Sequence, residues 1–161
     1  YQVTYTPATA LMDGSHTVTV DCNDHDGNAA AQKATTYKVD TVPPTLNITA
    51  PVAGLITASA SQTVAGTTND ATSSPVTITI TLNGVDQGAV TVASNGSFTK
   101  SVTLREGSNT IVVIATDAAG QETTISRSVT LDTSVPVIKS ATITPNPVDA
   151  GKSMVIAVEI V

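Results

Sequence analysis

The chain has 161 residues, of which 40% are apolar and only 2% aromatic, and its formal net charge is −6. The acidic balance disfavours binding to the phosphate backbone of nucleic acids, and no apolar run approaches the roughly 18 residues that a membrane-spanning helix needs. Val, Ile and Thr are abundant. Because β-branched side chains suit pleated strands, this composition predicts an all-β protein.

The first predicted elements lie in a stretch that the chain repeats. Residues 13–28, DGSHTVTVDCNDHDGN, align without a gap with residues 106–121, EGSNTIVVIATDAAGQ, at an offset of 93 residues. A repeat of this size matches one immunoglobulin-like β-sandwich. We therefore predict tandem sandwiches of this fold, in which each copy of the stretch supplies one strand and the turn after it.

The next feature in the chain is a repeated junction. Asp40-Thr41 recurs as Asp132-Thr133, and a proline follows each pair within a few residues. Proline cannot donate to a strand ladder, so it ends one unit before the next begins. The predicted units are the C-terminal part of one sandwich at 1–41, a complete seven-strand sandwich at 42–134 and the N-terminal part of a further sandwich at 135–161.

Within the middle unit, short alternating runs separated by turn residues predict the strands. The clearest run is VTITITL at 76–82, which places its apolar residues on one face. The predicted strands are A at 45–50, B at 62–66, C at 76–82, a fourth at 89–92, a fifth at 97–104, F at 110–116 and G at 123–131. The predicted core consists of Val76, Ile78, Ile80, Leu82, Phe98, Val102, Leu104, Ile111, Val113, Ala115, Ile125 and Val129.

The two outer segments are too short to form sandwiches of their own. Residues 1–41 supply at most strands E, F and G, and residues 135–161 supply A and B. A half-sandwich leaves its apolar face uncovered. We therefore expect the missing strands to come either from a longer protein, of which this chain is a piece, or from a neighbouring copy in a filament.

Part of the sequence resembles a known family. Residues 96–120, GSFTKSVTLREGSNTIVVIATDAAG, resemble the bacterial immunoglobulin-like repeat of the glucodextranase domain-B type, and the similarity spans most of 43–134. Residues 13–28 resemble the end of a related bacterial repeat, and residues 141–161 resemble the opening of repeats in bacterial surface proteins and phage-like structural proteins. The resemblance implies secreted or surface-displayed modules that serve as stalks, adhesin repeats or non-catalytic parts of glycosidases.

Sequence motifs of catalysis are missing. There is neither a Gly-x-Ser-x-Gly nucleophile elbow nor a glycine-rich phosphate loop. His16 and His25 have no companions at metal-ligand spacing, and the acidic neighbours of Cys22, the only cysteine, do not favour a reactive thiolate. We expect no catalytic residue, no residue that binds an organic cofactor, and no enzymatic activity.

Topology brings one group of possible ligands together. Successive strands of a sandwich alternate in direction, so the loops after strands B and F lie at the end where the chain enters. Asp40 leaves the first unit near this end, which also carries Asn69, Asp70 and Asp117. Carboxylate and amide oxygens are ligands that Ca²⁺ takes, and the family resemblance points the same way. The alternative is that these residues only form turns.

The leading functional hypothesis is a stalk or spacer module of a bacterial secreted or cell-surface, adhesin-like protein. One alternative is a structural component of a phage virion or an extracellular filament, and another is a carbohydrate-binding accessory module of a secreted glycosidase. The expected partners are neighbouring immunoglobulin-like units of the same or an adjacent chain, not nucleic acid or a membrane. The scarcity of aromatic side chains disfavours a sugar-binding platform.

Overall fold

The computed structural model describes residues 4–144, 146–147 and 149–161. All regular elements in these residues are strands. The first two strands, β1 (Gly14–Val20) and β2 (Lys33–Val39), form an antiparallel hairpin. The last two, β11 (Ile138–Thr144) and β12 (Val155–Ile160), form a second antiparallel pair. Between the two pairs lies a complete sandwich, and no helix that could cross a membrane occurs in the part of the chain just given.

The middle sandwich has eight strands in two sheets. One sheet has the order β3–β5–β8, and the other has the order β4–β10–β9–β6–β7. Neighbouring strands are antiparallel, except that β4 runs parallel to β10. The strands are β3 (Thr45–Ala50), β4 (Leu55–Thr57), β5 (Ser61–Asn69), β6 (Thr77–Leu82), β7 (Val85–Asp86), β8 (Ser97–Thr103), β9 (Gly107–Thr116) and β10 (Glu122–Leu131).

The core lies between these two sheets and is close to the predicted one. All the predicted core residues are buried except Val76 and Ile125, which are partly buried against the cluster. Ile48, Val64 and Leu131 complete the core. These three belong to β3, β5 and the end of β10, so the core draws on both sheets.

The prediction of a fourth strand at 89–92 is wrong. Val92 makes a single bridge to Phe98, and the carbonyl of Ala89 accepts from Lys100 Nζ instead of from a strand. Val90 and Val92 still pack against the core, which explains the alternating pattern without a ladder. The turn at Asn83-Gly84, with positive φ at both residues, instead forms a hairpin from β6 to the two-residue β7.

Two further differences concern the first half of the sandwich. The chain crosses between sheets after Pro51, where Gly54 adopts φ 73° and donates to the carbonyl of Ser128, so that β4 can join β10. Strand β5 also runs to Asn69, three residues beyond the predicted end. The polar loop before β6 therefore begins at Asp70.

The outer pairs present apolar residues to solvent. Val18, Val20 and Tyr37 are exposed on the first hairpin, and residues 4–13 before it form no strand. Ile138, Ile156 and Ile160 are exposed on the last pair. The source of strands that would cover these faces stays a prediction.

Candidate metal centre

Three carboxylates meet where the chain passes from the first hairpin into the middle sandwich. Asp40 follows β2, Asp70 follows β5 and Asp117 follows β9. One oxygen from each lies within 4.8 Å of the others, and this is the cluster of potential metal ligands that the described residues form. We call Asp40, Asp70 and Asp117 the junction cluster.

Each member of the cluster uses one carboxylate oxygen to hold its own loop. Asp40 Oδ1 accepts from the N–H of Val42 at 3.1 Å. Asp70 Oδ1 accepts from two N–H groups, those of residues 72 and 73, at 2.7 and 2.6 Å. Asp117 Oδ1 accepts from the N–H groups of residues 119 and 121 at 2.8 and 2.9 Å. The turn-forming role that the sequence left open is therefore filled, and it occupies only one oxygen of each residue.

The other carboxylate oxygens, Oδ2, make the cluster a candidate cation site. Oδ2 of Asp40 and Oδ2 of Asp117 are buried and have no hydrogen-bond partner among the described residues, and Asp117 as a whole is only 6% exposed. A buried, unpaired carboxylate oxygen loses its hydration without compensation. Three negative charges this close also repel one another. A cation placed among them would relieve both costs.

The spacing fits one large divalent ion. Ca²⁺ holds oxygen ligands at ~2.3–2.6 Å, so it can join two oxygens up to ~4.6–5.2 Å apart. The separations of no more than 4.8 Å in the junction cluster fall within that reach. The donors are all oxygen, and Ca²⁺ takes 6–8 such ligands in irregular geometry, whereas Mg²⁺ requires a near-ideal octahedron at shorter distances.

Asn69, the fourth residue predicted for the site, is the last residue of β5 and is exposed. Its carbonyl accepts from Thr45 Oγ1 at 2.8 Å, a contact that ties β3 to β5. The structure thus brings the three predicted carboxylates together. Ion binding by these residues, with or without Asn69, stays a prediction.

The junction is also held by contacts outside the cluster. Pro44 is fully buried, and its carbonyl accepts from Thr123 Oγ1 at 2.6 Å. On the other side, Lys38 Nζ at the end of β2 donates to the carbonyl of Thr72 at 3.4 Å. The five residues between β2 and β3 are thus attached to the middle sandwich at one end and adjoin its loops at the other.

The histidines and the cysteine lie apart from this site. His16 Nε2 lies 2.7 Å from the carbonyl oxygen of Met12, and the aligned residue Asn109 donates to the carbonyl of Arg105 at the same distance. This equivalence indicates a structural role for His16. His25 and Cys22 are exposed in the first hairpin.

Sequence reasoning missed one recurring contact near the site. The carboxylate of Asp13 accepts from Thr41, and the carboxylate of Glu106 accepts from Thr133. The signal was present, because an acidic residue precedes Gly-Ser in both copies of the repeat and a threonine follows both junction aspartates. Without the pairing of the strands, nothing connected the two positions.

The fold and the junction define a class of protein, namely tandem immunoglobulin-like β-sandwich repeats. Residues 44–133 match the family model described as glucodextranase, domain B. The chain belongs to this family. Residues 1–41 match a second model, described as a bacterial Ig-like domain. No curated protein sequence matches the chain.

The chain is similar to solved structures, of which the first shows the same fold. The fibronectin(III)-like modules of Clostridium thermocellum CbhA superpose with a TM-score of 0.51 at 19% identity, over 77% of this chain and 65% of theirs. A tetra-tandem repeat from the extending region of a large adhesion protein is 22% identical with a TM-score of 0.49, over 94% of this chain and 46% of that one. The chain thus spans about two thirds of the first structure and less than half of the second.

Proposed function

We propose that this chain is a non-catalytic spacer or stalk module of a bacterial secreted or cell-surface protein. The observation that carries the proposal is the first junction, where one unit passes into the next through a short, anchored connection. Val39 ends β2 and Thr45 begins β3. Units joined by such a connection can hold a distal domain at a distance, and this is the function of a spacer.

The connection is built to limit bending. Pro43 and Pro44 occupy its last two positions, and each ring fixes the backbone φ near −65°. The burial of Pro44 and its contact with Thr123 fasten the connection to the middle sandwich. A rotation of the first hairpin about the junction would separate Lys38 from the carbonyl that it contacts in the middle unit.

We further propose that the junction cluster binds Ca²⁺ and that the ion stiffens the connection. The cluster spans the junction, because Asp40 belongs to the connection whereas Asp70 and Asp117 belong to loops of the middle sandwich. An ion held by all three fixes the end of one unit against the next. Backbone carbonyls and water would complete the 6–8 oxygen ligands that Ca²⁺ takes.

Small-angle X-ray scattering of the chain in CaCl₂ and in chelator tests both proposals. A compact body of 161 residues would have a radius of gyration of ~15 Å, and a spacer should exceed this value clearly. In the wild type, calcium should narrow the range of maximum particle dimensions that fits the scattering curve, because a stiffer junction samples fewer angles between the units. The Asp40→Asn variant should lose this response, whereas Asp132→Asn, the matched change at the second junction, should keep it.

Two results would count against these proposals, and they can be told apart. A compact particle in both conditions would contradict the spacer function. An extended particle with identical scattering in calcium and chelator would contradict the calcium-stiffened junction and leave the spacer function standing.

An accessory module of a secreted glycosidase is the second candidate, because the matched family model carries the name of one domain of glucodextranase. Tyr5 and Tyr37, which line a groove of about 740 Å³ on the first hairpin, are the aromatic residues that such a role would use. Affinity electrophoresis in gels that contain soluble polysaccharides tests it. Retarded migration that the Tyr37→Ala variant loses would favour this candidate over a plain spacer.

A further inference from the structure

A pair of hydrogen-bonded residues recurs at both junctions. Asp13 lies just before β1, and its carboxylate accepts from the N–H of Thr41 at 3.0 Å and from Thr41 Oγ1 at 3.0 and 3.1 Å. Glu106, which aligns with Asp13, accepts from the N–H of Thr133 at 3.1 Å and from its Oγ1 at 2.9 Å. We call each set an acid–threonine clamp. The chain builds this clamp twice, once with Asp and once with Glu.

The first clamp acts on the residue next to the junction cluster. Asp40 lies between Val39, which pairs with Gly14 in the hairpin ladder, and Thr41, which the clamp holds. Asp40 Oδ1 in turn accepts from the N–H of Val42. The backbone on both sides of Asp40 and one of its carboxylate oxygens are therefore fixed, and the remaining oxygen, Oδ2, is the buried atom without a partner.

The second clamp shows that this arrangement does not depend on a neighbouring cluster. Asp132 Oδ1 accepts from the N–H of Ser134 at 3.0 Å, just as Asp40 Oδ1 accepts from Val42. Asp132 and Thr133 are exposed, and Asp132 belongs to no group of potential metal ligands in the described residues. The clamp thus occurs in both copies of the repeat, and in the second copy it is present beside an aspartate that joins no cluster of the described residues.

We infer that Asp13 is a positioning residue for the junction metal site, acting through Thr41 on Asp40. This inference rests on the proposed binding of calcium. Asp13 is not one of the three ligands, and it touches Thr41 rather than the cluster. Partners that orient metal ligands from outside typically contribute ~10–100-fold to metal affinity, because an unheld ligand must be ordered when the ion binds. Loss of the Asp13 carboxylate should therefore weaken calcium binding without removing a ligand.

Calorimetric titration of the chain with CaCl₂ tests the inference on four proteins. Asp13→Ala should weaken the affinity by ~10-fold or more relative to the wild type. Glu106→Ala, the matched change in the second clamp, should leave it unchanged. Asp13→Glu should restore it, since a glutamate forms the same clamp with Thr133. Glutamate keeps the carboxylate but is larger than aspartate. Rescue by Asp13→Glu would therefore show that the carboxylate, and not the size of the side chain at position 13, supports calcium binding.

A milder pair of variants guards against loss of the hairpin. Thr41→Val keeps the N–H that donates to Asp13 and removes only the hydroxyl, so it should weaken calcium binding less than Asp13→Ala does. Thr133→Val should have no effect. Equal affinities in the wild type, Asp13→Ala and Thr41→Val would overturn the positioning role alone. A wild type that gives no heat with CaCl₂ would overturn the calcium proposal and, with it, the role of Asp13.

Discussion

Replacement of Asp117 by Asn should change the stability of the middle sandwich in opposite directions with and without calcium. The amide oxygen of Asn can still accept from the N–H groups of residues 119 and 121, so the turn after β9 is kept. What changes is Oδ2, which is buried and unpartnered within the described residues. An amide nitrogen there removes one negative charge and one potential ligand.

The charge decides the result in chelator. The cluster oxygens lie within 4.8 Å of one another, and two unit charges at that limit repel by ~3.5 kcal/mol at an effective dielectric constant of about 20. Asp40 and Asp70 are partly exposed, and solvent screens their charges, so we take ~1 kcal/mol as the gain from neutralising Asp117. This gain should raise the melting temperature of a unit of this size by about 4–8 °C.

The ligand decides the result in calcium. An ion that binds only the folded state adds ~2.7 kcal/mol at a concentration 100 times its dissociation constant. The wild type should gain this stabilisation and Asp117→Asn should lose most of it, so the order of the two melting temperatures should reverse.

Thermal unfolding followed by circular dichroism, in chelator and in CaCl₂, measures both arms. Asp24→Asn, the change at the aligned residue of the first hairpin, leaves the junction cluster intact and should keep the calcium dependence of the wild type. If Asp117→Asn were less stable than the wild type by the same amount in both buffers, Asp117 would serve the turn alone and the cluster would hold no ion.

Three further changes test the fold and its electrostatics. Phe98→Ala should lower the free energy of unfolding by ~3–5 kcal/mol, because Phe98 is only 2% exposed in the core; an unchanged melting temperature would contradict the assigned inward face of β8. Gly96→Ala should lower the free energy of unfolding far more than Gly120→Ala does in denaturant titration. Both glycines have positive φ, but a Cβ at Gly96 would lie 2.1 Å from a carbonyl oxygen of β5, whereas one at Gly120 meets nothing within 4 Å. Hydrogen bonds from Asn28 and from neighbouring N–H groups lower the pKa of Asp24. Their contribution to stability is therefore present above the ordinary Asp pKa and is lost as the pH falls through the lowered pKa of the folded state. An NMR titration of Asn28→Ala should show a higher Asp24 pKa than in the wild type.

Strand bounds were predicted best where strand-ending residues stand on both sides of the strand. Strand β3 has the predicted bounds, because Pro44 and Pro51 enclose it and cannot donate to a ladder. The strand at 89–92 failed because alternation records which side chains face the core, not which backbone groups pair. Val90 and Val92 do pack inward, but the side chain of Lys100 takes a carbonyl that a ladder would have used.

The candidate site followed from topology rather than from a motif. Alternating strand direction is enough to place the loops after β5 and β9 at the end where Asp40 arrives, so three carboxylates far apart in sequence could be grouped. The clamp could not be placed in the same way. Its two residues, Asp13 and Thr41, meet only because Gly14 pairs with Val39, and that register depends on a turn whose length the sequence does not specify.

The arrangement of the oxygens explains how one ion could control a junction without being needed for the fold. Every carboxylate in the junction cluster already holds its loop through Oδ1, so these turns form in the absence of metal. The complete site exists only when the end of one unit lies against the loops of the next. A ligand shifts a conformational equilibrium only by the difference in its affinity for the two states, and movement of Asp40 away from Asp70 and Asp117 would remove one of the three carboxylates from the proposed site. If calcium bound only the arrangement in which the three carboxylates meet, then at 100 times its dissociation constant it would favour that arrangement over one with Asp40 apart by a factor of ~100, and the stiffness of the connection would follow the surrounding calcium concentration.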